Sequence, residues 1–320
     1  MMKCRKCGKK AVINMRQHKL ALCADDFLTW FIKQTMYTIK RDKLFAPDAK
    51  LLVAVSGGKD SLALWDVLNR LDFHCDGIYV GLGINGELNY SARSREFAQR
   101  FADRRDLKLI VVDVESTYGA TIPQASKLSA RGAGKPCSLC GLTRRYIMNR
   151  TALEGNYDVL VTGHNLDDEA ATLMGNTMNW LVGYLRSQSP LLPEKQGFVR
   201  KAKPLHRFYE RETAAYAFLR GIEYVQEECP FSVDAKSIYY KNLLNQIETD
   251  RPGAKQGFYL SFLQAKDQMK FNPELEQPNS LDRLCVTCGQ PTRGGERCAF
   301  CSTWDKIRLR VADQYKNSGA

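Results

Sequence analysis

The period of apolar and polar positions changes along the chain. Residues 25–43 place Phe27, Phe31 and Thr35 on one face, with Trp30 and Met36 beside them, which predicts a helix. From Lys50 onward, short apolar runs alternate with amphipathic stretches. Leu51-Leu52-Val53-Ala54-Val55 has the pattern of a buried strand, and Leu64, Val67, Leu68 and Leu71 follow at helical spacing. Strands are expected over 77–82, 107–114 and 157–162. A charged amphipathic helix over 93–105 and a helix over 146–153 fall between them. This alternation predicts an α/β fold in which a doubly wound parallel sheet is covered by helices on both faces. Beyond Asn165 the pattern is helical to about Tyr184. Ser189-Pro190 and Leu192-Pro193 mark a loop, and helices are expected over 209–220, 237–246 and 258–270.

No apolar run approaches the length of a membrane span, and the first residues lack the apolar stretch of a secretory signal. A cytoplasmic location is the expectation. The chain has 320 residues with a formal charge of +12, which favours a polyanionic partner. A merely basic soluble protein is the plain alternative. Four basic runs, at 3–10, 40–43, 200–203 and 306–310, lean toward the former.

Ser56-Gly57-Gly58-Lys59-Asp60-Ser61 lies between a strand and an amphipathic helix. Two glycines let the backbone approach a phosphate, and the following helix N-terminus adds partial positive charge. Ser56 and Ser61 offer hydroxyls and Lys59 a cation. Asp60 would repel bare phosphate, so its sensible role is to hold magnesium. The spacing is not that of a Walker A loop. A second segment, Thr162-Gly163-His164-Asn165-Leu166-Asp167-Asp168-Glu169, follows the fourth strand and so lies at the same edge of the sheet. Acids in a first helical turn also serve as dipole partners, which suits Asp167 and Glu169.

Ten of the 11 cysteines fall into three groups. Cys285, Cys288, Cys298 and Cys301, with Gly289, Gly294 and Gly295 between, have the spacing of a four-thiolate zinc ribbon. Arg283, Arg293, Arg297, Lys306, Arg308 and Arg310 surround it, as an RNA contact or as a solvated basic face. Cys4, Cys7 and Cys23 supply three ligands at the other end. Asp26 is preferred as the fourth because Cys-x-x-Asp keeps the knuckle spacing; His18 competes. Cys137 and Cys140 open a helix, and Cys229-Pro230 comes later. Those three could ligate an iron–sulfur cluster with one iron free of protein, or run a persulfide relay beside a structural Cys229.

Ser-Gly-Gly-x-Asp-Ser after the first strand resembles the PP-loop of the ATP pyrophosphatase superfamily, whose members split ATP to AMP and pyrophosphate. Together with Cys137-x-x-Cys140, Cys229-Pro230 and cysteine modules at both ends, it resembles the TtuA/Ncs branch of the TtcA family, enzymes of tRNA uridine 2-thiolation. The resemblance spans nearly the whole chain. It implies a Rossmann-like sheet and an ATP site made by Ala54, Val55, Ser56, Gly57, Gly58, Lys59, Asp60, Ser61, Ile84, Gly163 and Asp168. Lys59, Asp60, Arg144 and Asp168 would be catalytic. A [4Fe–4S] cluster would sit on Cys137, Cys140 and Cys229, and Mg2+ and two Zn2+ sites complete the set. tRNA would be the substrate, with a thiocarboxylated ubiquitin-like carrier protein or free sulfide as sulfur donor, and the enzyme a homodimer. Arg144 stands where the pattern expects lysine, which puts any proton-donor role there in doubt.

The expected organisation is a zinc knuckle over 1–26, a linking helix over 27–49, a catalytic domain over 50–271, a linker over 272–279, and a zinc ribbon with a basic tail over 280–320. Two rival classes stay open. One is a PP-loop enzyme acting otherwise on a base, by adding nitrogen or lysine or by thiolating cytidine. The other is a non-catalytic zinc-ribbon RNA-binding protein with a decayed nucleotide loop.

Overall fold

The computed structural model describes residues 2–86, 89–131, 136–232, 236–266, 268–269, 283–292 and 295–318. The expected linker over 272–279, Arg293 and Gly294 lie outside the described residues. In chain order the elements are β1 (Ile13–Met15), β2 (Leu20–Leu22), α1 (Ala24–Arg41), β3 (Leu51–Ala54), α2 (Lys59–Arg70), β4 (Cys75–Gly81) and α3 (Tyr90–Asp103). There follow β5 (Leu109–Asp113), α4 (Val114–Tyr118), α5 (Ile122–Lys127), α6 (Pro136–Glu154), β6 (Val159–Thr162), α7 (Leu166–Met178) and α8 (Val182–Ser187). The rest are β7 (Leu191–Leu192), β8 (Arg200–Ala202), α9 (Glu210–Leu219), α10 (Lys236–Asp250), α11 (Ala254–Ala265), β9 (Arg283–Leu284), β10 (Pro291–Thr292) and α12 (Ala299–Ser318).

Six strands form the main sheet in the order β5-β4-β3-β6-β8-β7. The first five are mutually parallel, and β7 closes the edge antiparallel to β8. Because side chains alternate across a strand, Leu51 and Val53 of β3 enter one core and Leu52 the other. The first core is covered by α1, α2, α3 and α9. There Phe31 packs between Phe208 and Tyr216, with ring centroids 4.3 and 4.2 Å away. The second is covered by α4, α5, α6 and α12, where Tyr146 and Phe300 stack at 3.6 Å. A third cluster joins α7 to α10 and α11. The expected doubly wound sheet is therefore present, with an antiparallel edge strand.

Three local expectations gain structural detail. The loop expected around 189–193 contains β7, and the basic run at 200–203 contains β8. Backbone pairing of β8 with β6, Val159 to Val161 against Arg200 to Ala202, overrides its polar side chains. The stretch expected to be largely helical to about Tyr184 is so, as two helices, α7 and α8, parted after Met178 where Trp180 takes φ 45°. The expected basic tail is helical: α12 buries Phe300, Trp304 and Ile307 against α6. Each fully buried side chain of this size contributes about 1.5–3 kcal/mol. Among the described residues no helix is long and apolar enough to cross a membrane.

Candidate active site and metal centres

The nucleotide loop is held by its own hydroxyls. Ser61 Oγ accepts from Ser56 N at 3.1 Å and donates to Gly58 O at 2.9 Å, while Ser56 Oγ accepts from Gly58 N at 3.3 Å. Gly57 has φ 76°, and a Cβ there would lie 2.2 Å from Ser94 O, so only glycine fits. A Cβ on Gly163 would lie 2.8 Å from the carbonyl carbon of Asp60. The 163–168 turn therefore abuts the first turn of α2, and the fold brings the two expected segments together. Val55 N bonds Ile78 O at 2.9 Å, and Ala54 and Ile84 pack in one apolar cluster beside the loop.

Charge in this cleft is organised as a chain. Lys59 Nζ lies 3.1 Å from Asp60 Oδ2 and 2.7 Å from Glu210 Oε1. Glu210 Oε2 reaches Lys241 Nζ at 3.2 Å, and Lys241 reaches Asp168 Oδ1 at 2.6 Å. Asp60 Oδ1 also accepts from Thr213 Oγ1 and from Asn165 Nδ2. Burial pushes the Asp60 carboxyl up, and the charge of Asp168 adds to this against the pull of Lys59. Burial works to lower both lysines, but Asp60 and Glu210 hold Lys59, and Asp168 and Glu210 hold Lys241, above their ordinary values. Asn165 caps α7 reciprocally with Asp168. Asp167 is buried and faces Lys255, so it is a packed ion pair rather than only a dipole partner. His164 sits at the rim, with Nδ1 2.8 Å from Thr162 Oγ1; surrounding protein lowers its pKa although the ring meets solvent.

Sequence reading missed Glu210, Lys241 and Thr213. They sit on α9 and α10, and Glu210 lies 151 residues from Lys59. No local motif marks them. Two opposite charges in helices following the site segments were the only available signal.

α6 starts at Pro136 and carries Cys137, Cys140 and Arg144. Cys137 Sγ contacts Phe231 O at 3.4 Å, two residues beyond Cys229. Burial raises the Cys140 and Cys229 thiols, and Arg144 pulls both back down. The charge of Arg144 also reaches Tyr79, Tyr90 and His164. Arg144 lies one helical turn beyond Cys140 on α6. The three thiols do not all lie within 4.8 Å of one another, as the ligand atoms of each terminal site do. Cys140 and Cys229 nevertheless pack on the same apolar cluster.

Both ends converge for a metal ion. Cys285, Cys288, Cys298 and Cys301 form one set and Cys4, Cys7, Cys23 and Asp26 the other. Asp26, in the first turn of α1, places Oδ2 3.1 Å from Cys4 Sγ and 3.2 Å from Cys23 Sγ. His18 points elsewhere, 3.2 Å from Glu212 Oε1 and packed on Trp30.

Known proteins resemble this chain over nearly its whole length. Residues 3–28 match the N-terminal LIM domain of 2-thiouridine synthetase TtuA, and residues 31–244 match the PP-loop domain. The tRNA-5-methyluridine(54) 2-sulfurtransferase of Thermus thermophilus is 48% identical over 97% of this chain and 93% of its own. The protein of the same name from Thermotoga maritima is 40% identical over 97% and 98%. The U34-tRNA thiolase NcsA of Methanococcus maripaludis, solved with its [4Fe-4S] cluster, superposes with a TM-score of 0.78 at 26% identity, over 95% of this chain and 96% of NcsA.

Proposed function

This chain belongs to the PP-loop family of TtuA-type tRNA 2-sulfurtransferases, and from that premise we propose that it uses ATP to replace the C2 oxygen of a tRNA uridine with sulfur. The observation that carries the reading is that the segment leading to Cys229 touches the nucleotide loop, where Val225 N donates to Gly57 O at 3.0 Å, while Cys140 and Cys229 pack on the apolar cluster that also holds Ala54 and Ile84. The nucleotide loop and the thiol segment are then neighbours, so one site can serve both chemistries. The relatives named for position 54 favour the T-loop uridine over the wobble uridine.

In this reading ATP lies along the 56–61 loop and the 163–168 turn. Asp60 and Asp168, whose mutual repulsion a divalent cation would relieve, would hold Mg2+. The uridine is unstacked to enter, at a cost of a few kcal/mol. Its C2 oxygen attacks the α-phosphorus, and pyrophosphate leaves toward the loop amides and Lys59. Arg144 offsets the charge developing between the two half-sites. Sulfide then adds at C2, and the adenylated oxygen departs as AMP. Cys137, Cys140 and Cys229 would hold a [4Fe–4S] cluster, which would supply Lewis-acid binding of sulfide. The terminal sets would hold Zn2+ structurally, because four protein ligands leave no open position. A thiocarboxylated ubiquitin-like carrier or free sulfide is the donor, and a cytoplasmic homodimer is the working assembly.

Anaerobic purification should give a coloured protein that forms 2-thiouridine from ATP, sulfide and tRNA. Mass spectrometry should map the sulfur to position 54. Cys229→Ala should abolish thiolation and keep ATP binding. A colourless protein that stays inactive after cluster reconstitution overturns the reading. Transfer of nitrogen or thiolation of a cytidine would select a rival one.

A further inference from the structure

Lys59 belongs to a recognisable loop; Lys241 does not. Both ammonium groups face the two oxygens of one carboxylate, Glu210 Oε1 at 2.7 Å and Oε2 at 3.2 Å. That carboxylate is firmly placed. Glu210 opens α9, and its backbone N–H donates to Asp167 Oδ2 at 2.9 Å. Asp167 is itself clamped by the buried Lys255. Lys241 reaches in from α10 and also touches Asp168 at 2.6 Å. Glu210, Lys241 and Asp168 are all partly open to solvent, so the array lines the cleft and is not sealed in a core.

Holding two long lysine side chains on one carboxylate costs side-chain entropy, which offsets part of what these half-covered ion pairs contribute. Two long lysine side chains converging on one anion are therefore poorly explained as a scaffold. The same arrangement fits a phosphate, which also offers two oxygens to two ammonium donors. In the structure described here the Glu210 carboxylate stands in for such a group. This reasoning rests on the proposed ATP-splitting site.

We propose that Lys241 is a second polyphosphate-binding cation of the site, and that Glu210 is the internal anion that occupies both lysines between turnovers. An arriving polyphosphate displaces the carboxylate from the lysines. As pyrophosphate leaves, the carboxylate returns and competes against its rebinding. Neither residue takes part in bond making, so the expected signature is in binding of the polyphosphate end of the ligand.

The test uses full-length, metal-loaded protein and calorimetric titration with magnesium pyrophosphate, AMP and a non-hydrolysable ATP analogue. Lys241→Met should weaken pyrophosphate and analogue binding at least tenfold and leave AMP unchanged. Glu210→Gln should tighten pyrophosphate binding several-fold, the opposite of what loss of a structural contact does. Equal or tighter pyrophosphate binding by Lys241→Met would show that the lysine only fills the place of a cation beside Asp168, and would overturn the proposal. So would weaker pyrophosphate binding by Glu210→Gln. If wild-type protein binds neither pyrophosphate nor the analogue, the ATP-splitting reading fails instead.

Discussion

The indole N–H of Trp304 on α12 donates to the hydroxyl of Thr143 on α6 at 3.0 Å, with both side chains buried. Thr143 immediately precedes Arg144, so the C-terminal helix is fastened next to the residue proposed as the site's cation. Trp304→Phe keeps most of the packing but leaves the hydroxyl without its donor, which should cost about 1–3 kcal/mol. Trp304→Ala should cost about 3–5 kcal/mol and lower thiolation with it. Thermal unfolding and thiolation assays on both variants check this. An alanine variant with unchanged melting and activity would show that α12 is dispensable.

The two terminal metal sets predict a countable outcome. Wild-type protein should bind two zinc ions per chain. Asp26→Ala should bind one and His18→Ala two, because Asp26 contacts Cys4 and Cys23 while His18 faces Glu212. Cys285→Ser should lose the other ion and lower the melting temperature, since metal binding is coupled to folding. Elemental analysis decides it; loss of zinc on replacing His18 instead would reverse the ligand assignment.

Asp66 is buried among three arginines and a tyrosine. Its oxygens lie 2.9 Å from Arg105, 3.2 Å from Arg70, 3.1 Å from Arg220 and 2.7 Å from Tyr216. Burial pushes its carboxyl up, but Arg220, Tyr216 and Arg105 bring it below the ordinary carboxylate range. A folded-state value below the unfolded one gives stability that is present above the unfolded pKa and lost as pH falls through the folded one. Asp66→Asn should therefore cost about 3–5 kcal/mol at neutral pH and progressively less below about pH 4. Urea denaturation at both pH values measures the gap, and an equal gap would contradict the assignment.

What could be read from sequence was chemistry concentrated in short stretches. The 56–61 loop, the 163–168 turn and the cysteine spacings each occupy a few consecutive positions, and the fold brings the loop and the turn into contact. What could not be read depends on distant pairings. Glu210 and Lys241 become site residues only because α9 and α10 pack beside α2 and α7. Strand β8 carries Arg200 and Lys201, so its side chains looked like a basic surface run, while its backbone pairs with β6. In α12, Lys306, Arg308 and Arg310 drew the reading toward a tail, although Phe300, Trp304, Ile307 and Val311 keep helical spacing along the buried side.

Arg144 follows Cys140 by one helical turn, and its departure from the expected lysine separates two roles. A lysine could offset charge and release a proton, whereas a guanidinium stays protonated at any working pH. The surrounding groups fit the charge role, since burial raises Cys140, Cys229, Tyr79 and Tyr90 and the charge of Arg144 works against that rise at each. Arg144→Ala should lower the thiolation rate about 10²–10³-fold, the usual effect of removing one preorganised donor. ATP binding and the visible spectrum should persist. Arg144→Lys should recover activity to within about tenfold, because an ammonium keeps the charge but loses the planar fork. Its rate should stay flat with pH across the neutral range if charge is the requirement. Failure of lysine to rescue, or a new basic limb in its pH profile with activity above wild type, would mean that geometry or proton transfer is the requirement at this position.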